Sequence, residues 1–126
     1  MAFGDVGGPV TAMVITCKTP DTGNVMIHKG DAVRLTGNYA VNAVAGAGAP
    51  LFGQALATLE QNGTALPVKV RGVCDFFYTG TAPQVDGVSG VTLSGEAGKV
   101  MRPSEGTGHG IVLRVDSTRQ RVTVLL

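Results

Sequence analysis

The run Ala65-Leu-Pro-Val-Lys-Val-Arg-Gly-Val-Cys-Asp-Phe-Phe-Tyr78 carries the two-residue side-chain period of a β-strand over a longer span than any other part of the chain. It places Val68, Val70, Gly72, Cys74, Phe76 and Tyr78 on one face, and Lys69, Arg71, Val73, Asp75 and Phe77 on the other. The first face is apolar and belongs in a core. The second is charged, as a solvated face is, except at Val73 and Phe77. An apolar residue on a wet face calls for a cover, so these two residues are the candidates for contact with another subunit.

Working outward, the remaining strand patterns are short and separated by turn residues. Thr11 to Cys17 is apolar on both faces, which predicts a buried strand or one covered by a neighbour. Val25–His28, Ala32–Thr36 and Tyr39–Val44 follow, divided by Lys29-Gly-Asp31 and Gly37-Asn38. Leu51 to Gln61 has some helical spacing. Phe52-Gly53 before it and Asn62-Gly63 after it favour instead a strand feeding a hairpin into the Val68 run. Thr79 to Gly98 is long and poorly periodic, with strand character only at Val91–Leu93, and reads as a contact-making excursion. Lys99–Arg102 pairs briefly, and Ile111–Val115 with Arg121–Leu126 form a closing hairpin.

Composition agrees with this pattern. Glycine is 19 of 126 residues, about twice the ordinary ~7%, and only 15% of residues are charged against a typical ~25%. Many strands joined by tight turns, with part of the surface lost to partners, would account for both. The expected fold is all-β: a small antiparallel β-barrel or β-sandwich with long glycine-rich loops. Residues 1–10 are expected to be an extended N-terminal arm and residues 11–126 a single β domain. Phe3, Val6 and Pro9 give the arm its anchoring residues, so it reads either as a free tail or as a segment that orders on a neighbour.

A net charge of +1 gives no steering toward nucleic acid or anionic lipid. No apolar run is long enough to span a bilayer, and the first residues lack the pattern of a signal peptide, which predicts synthesis in a cytoplasm. Cys17 and Cys74 fall on apolar strands and read as buried thiols. No Cys/His spacing suits zinc and no carboxylate cluster suits calcium, so no metal and no cofactor is expected. His28 reads as a surface strand residue. His109 sits in Gly106-Thr-Gly-His-Gly110, where no helix follows to cradle a phosphate, and its glycines read as turn geometry. A Cys74–His109 nucleophile pair would need a reactive thiol on the core face, where thiols are inert. No catalytic constellation can be assembled.

The order of the motifs points further. Gly30-Asp-Ala-Val-Arg-Leu-Thr36 is followed by Leu51-Phe-Gly-Gln-Ala-Leu56 and then by Val68-Lys-Val-Arg-Gly-Val73. Gly110-Ile-Val-Leu-Arg-Val115 and Val122-Thr-Val-Leu-Leu126 close the chain. This succession resembles the capsid cement, or head decoration, proteins of tailed bacteriophages over about residues 25 to 126. The chain departs from the family pattern at Pro83–Gly98, where a second Gly-Asp-x-Val is common and only Val85-Asp-Gly-Val88 stands here.

The resemblance implies a protein without catalytic residues that binds the outside of an assembled phage capsid, with the major capsid protein as partner. It implies a homotrimer at threefold and quasi-threefold positions that stabilises the expanded shell as part of the virion. On that reading Val73 and Phe77 form subunit contacts, and Phe3, Val6 and Pro9, with the glycine-rich loops, dock on the capsid. No direct nucleic-acid or membrane contact is expected. The alternative is a virion-surface module that binds a carbohydrate or host surface through the Thr79–Gly98 and His109 loops.

Overall fold

Runs of valine, threonine and leucine between glycine turns give nine strands in the computed structural model, which describes residues 12–43 and 46–126. In chain order they are β1 (Ala12–Lys18), β2 (Ala32–Gly37), β3 (Ala40–Asn42), β4 (Gly53–Ala55) and β5 (Ala65–Thr79), then β6 (Thr92–Leu93), β7 (Val100–Met101), β8 (Ile111–Asp116) and β9 (Arg121–Leu125). The described residues contain no helix, and Leu51–Gln61 resolves as β4 plus a single bridge from Leu59 to Ile27. The expected N-terminal arm lies outside the described residues.

β5 organises the rest. Its first half pairs with β1 from Lys18–Ala65 to Ala12–Gly72 and on its other edge with β4 at Lys69 and Val68. β4 pairs with β2, β2 with β3, and β3 with β1, so this set of pairings returns to its start. The second half of β5 changes partner: Val73 to Phe77 pairs with β9, which in turn pairs with β8, and Tyr78–Thr79 pairs with β7. The change falls at Gly72, whose φ of 120° is open to glycine and strained for other residues. Leu126 exchanges two backbone hydrogen bonds with it, N–H to Gly72 O at 2.8 Å and Gly72 N–H to Leu126 O at 3.3 Å.

The apolar face of β5 is buried from Leu66 to Tyr78 except at half-buried Gly72, as its period predicts, but it serves two cores. Leu66, Val68 and Val70 pack with Cys17, Ile27, Val33 and Val41. Cys74, Phe76 and Tyr78 pack instead with Val91, Leu93, Val112, Val122 and Val124. Phe76 heads the fully buried side chains by volume. Truncating a buried Phe to Ala costs about 3–5 kcal/mol, so this one side chain matters greatly to a small domain.

Three expectations are corrected. The sheet is not purely antiparallel: β1 meets β3 in parallel at Lys18–Ala40, and β5 meets β7 in parallel. Val25–His28 is not a strand beyond the single Ile27 bridge. There the Asp31 carboxylate accepts the His28 N–H at 2.9 Å, and the Lys29 N–H goes to Thr58 Oγ1 at 3.0 Å, so the chain turns early. Finally, β1 is not buried on both faces within its own chain. It meets β3 only at Lys18, and Met13 and Val14 stay about half exposed.

Candidate functional site

The outer face of the second half of β5 is where sequence reasoning placed a contact, and it forms the floor of a groove of about 380 Å³. Val73 is half-buried there, while Phe77 is 49% exposed. Phe77 is not bare, however. Its cross-strand partner in the β5–β9 register is Arg121, whose guanidinium carbon lies 4.4 Å from the ring centroid. A guanidinium over an aromatic face is a cation–π contact worth about 0.5–1 kcal/mol at an exposed site.

Loops supply the walls. The Lys29–Asp31 turn and Ala97–Lys99 line the groove, and they meet where the Ala32 N–H donates to Gly98 O at 2.9 Å. Gln54 of β4 ties the turn to the floor, donating its amide N–H groups to Asp75 O at 2.8 Å and to Gly30 O at 3.3 Å. The Asp75 carboxylate accepts from Thr123 Oγ1, its neighbour across the β5–β9 pair, and Lys69 Nζ donates to Val73 O at 2.6 Å. The groove is therefore polar and of mixed charge, with one aromatic face under a cation.

The other sequence candidates separate. Phe3, Val6 and Pro9 lie outside the described residues. Cys17 and Cys74 are free and buried, one in each core, and burial pushes both thiols above their ordinary range. For Cys74 the nearby Lys69 charge pulls down and Asp75 pushes up, both less than burial. Burial, with a smaller contribution from the Arg71 charge, holds His109 below the usual imidazole range. No hydrogen bond joins Cys74 to His109 among the described residues. The His109 backbone pairs with Val91 in both directions, and a Cβ on Gly108 would collide with the Val91 backbone. These glycines serve close backbone approach. No group of three or more metal-ligating side chains occurs among the described residues.

Two features escaped the sequence. Asp86 is the centre of an Asx turn: its carboxylate accepts the Val88 and Ser89 N–H groups at 2.9 and 2.8 Å and the Ser89 hydroxyl at 2.5 Å. These bonds, the Ser89 hydroxyl first, lower its pKa to about 2. The second feature is apolar surface on strands. Ile111 and Leu113 of β8 and Leu125 of β9 are all exposed, with Ile111 and Leu125 directly paired. Tyr39, at φ 56° and 70% exposed, stands beside a second, apolar groove with Leu35 and Phe52. The chain matches no protein-family model and no curated protein sequence.

Proposed function

We propose that this chain is a structural virion protein, a cement or decoration protein that binds the outer surface of a phage capsid and stabilises its expanded shell. In this reading the returning circuit β1–β3–β2–β4–β5 is a small β-barrel, residues 11–126 form one domain, and three copies associate. The major capsid protein is the partner, and the protein acts on the virion surface without catalysis. The observation that carries the reading is the uncovered apolar strand surface, above all Ile111, Leu113 and Leu125 on one small β8–β9 face. Low overall charge and the motif order agree with it. One trimer touching several capsid subunits gains avidity, because its later contacts form at high effective concentration. Binding only the assembled shell stabilises that state by mass action. The reading predicts co-sedimentation with expanded heads and weaker association with unexpanded ones. A protein that stays in the supernatant with both would end it.

A specific observation favours a second reading, a virion-surface module binding carbohydrate or a host surface. Tyr39 presents an exposed aromatic ring from a left-handed backbone position beside an apolar groove. Aromatic rings stack on sugar faces, and strained backbone clusters at binding sites. Glycan-array binding that disappears in Tyr39→Ala would support this reading, and an array without signal would remove it.

A further inference from the structure

We propose that the outer face of the β5–β9–β8 strands is a contact between two copies of this chain, related by a twofold axis that runs along β9. The inference goes beyond the cement reading, which asks for a threefold contact and a capsid, and it stands without either.

The strand register lays this face out in three rows. Val73, Leu125 and Ile111 stand side by side across β5, β9 and β8 and form an apolar row. Leu113 is exposed beside it, where β8 carries an extra residue. Asp75, Thr123 and Arg114 make the second row, and Phe77, Arg121 and Asp116 the third. The alternate residues of these strands, Cys74, Phe76, Val112, Val122 and Val124, are buried in one core. The three rows are therefore the solvent side of the sheet.

Charge selects the occupant. The second row has a carboxylate at one end and a guanidinium at the other. Among the described residues Arg114 joins no ion pair, and the Asp75 carboxylate accepts a hydrogen bond from Thr123 alone. Turning a second copy about an axis along β9 lays β5 of each copy over β8 of the other, and every contact occurs twice. Asp75 then meets the second copy's Arg114. The apolar rows also meet, Val73 on Ile111 and Leu125 on its own counterpart. The third row brings two arginines and two aspartates together, which balance. An axis across the strands does the opposite. It sets Asp75 on Asp75, Arg114 on Arg114 and Leu125 on Arg121, with like charges facing and a charge pressed on an apolar side chain. Sheets packed face to face keep their strands within about 30° of each other, which the β9 axis satisfies. A net charge of +1 adds little repulsion between copies.

The test is the solution mass of the full chain by sedimentation, from about 1 μM to about 1 mM. The mass should rise toward an even-numbered species, a dimer or, if three copies also associate, a hexamer. R114D should weaken the twofold step about tenfold, because each dimer holds the ion pair twice, and D75R/R114D should restore it to within about threefold. L125C should form a disulfide-linked dimer on air oxidation, while V14C, half exposed on β1, should not. A monomer or a bare trimer over the whole range overturns the proposal. So does a double variant that folds and stays as weak as R114D, or equal crosslinking at V14C. If the double variant does not fold, L125C decides, and its failure to crosslink overturns the proposal. Failure of the cement reading would appear separately, in the head co-sedimentation.

Discussion

Arg121 stands directly across the β5–β9 pair from Phe77 and covers its ring at 4.4 Å. The apolar residue that interrupts a polar strand face is thus half covered within its own chain, and what faces outward is an aromatic–guanidinium pair. Phe77→Asp should keep the fold, because the new carboxylate would face Arg121 in place of the ring. If the face is a subunit contact, the same variant should lower the solution mass toward monomer. Phe77→Ala should cost about 0.5–1 kcal/mol from the lost cation–π contact. An oligomer whose mass survives Phe77→Asp would move the contact elsewhere, with Ile111, Leu113 and Leu125 next in line.

Gly72 is the point where β5 exchanges β1 for β9, and its φ of 120° is closed to most side chains. Gly72→Ala should destabilise the domain by about 1–3 kcal/mol, the cost of holding a non-glycine residue in such a region. The neighbouring Arg71→Ala, at an exposed position, should be nearly neutral. Urea midpoints of the two variants give the comparison, and equal midpoints would mean that the strand relaxes around the new methyl group.

The alternation from Leu66 to Tyr78 made the buried face of β5 legible, since a period of two leaves little choice about which side chains go inward. The same pattern could not show that this face serves two cores, because Gly72 keeps the period while it changes the strand's partner. Phe77 was legible as an anomaly, but its cover comes from Arg121, 44 positions away, and register across a hairpin is not written at either position. The groove was hidden for the same reason: Lys29, Gln54 and Lys99 come from three separate segments that meet through the pairings of β2, β4, β5 and β7. In the sequence, Val85-Asp-Gly-Val88 stands out only by its place in the motif order. The Asp86 side chain, bonding to Val88 and Ser89, makes it a turn, and Asp-Gly is a local signal of that turn.

Cys17 and Cys74 should resist iodoacetamide in the native protein and react fully in denaturant. Burial limits access, and by raising both pKa values it leaves less thiolate near neutral pH. The labelling rate should follow global unfolding. Rapid modification of native Cys74 would reopen the cysteine as a nucleophile.

Asp86 should titrate near pH 2, visible in its side-chain carbonyl resonance. Its folded pKa lies below the unfolded value of about 3.9, so the turn's contribution is present above that value and is lost as pH falls toward 2. The group is fully exposed, so the loss should show as a loosening of the Val85–Ser89 loop. Ser89→Ala removes the largest cause and should bring the titration back toward the ordinary carboxylate range. An unchanged titration would mean that the backbone N–H bonds alone hold it down.

His109 gives a second pH dependence of the same sign, since its folded pKa is also lowered. Burial and then the Arg71 charge disfavour the imidazolium, so the folded chain binds its proton less readily than the unfolded chain does. Below the unfolded value of about 6.5 the unfolded state holds more protons, and stability should fall as pH drops from there toward the lowered folded pKa. Below that folded pKa the loss should level off. His109→Gln should remove this step from a plot of urea midpoint against pH. Arg71→Ala should reduce the step but leave most of it, because burial is the larger cause. If Arg71→Ala removes the step entirely, the guanidinium and not desolvation controls the imidazole, and the ring is wetter than its half-buried position between Gly108 and Gly110 implies.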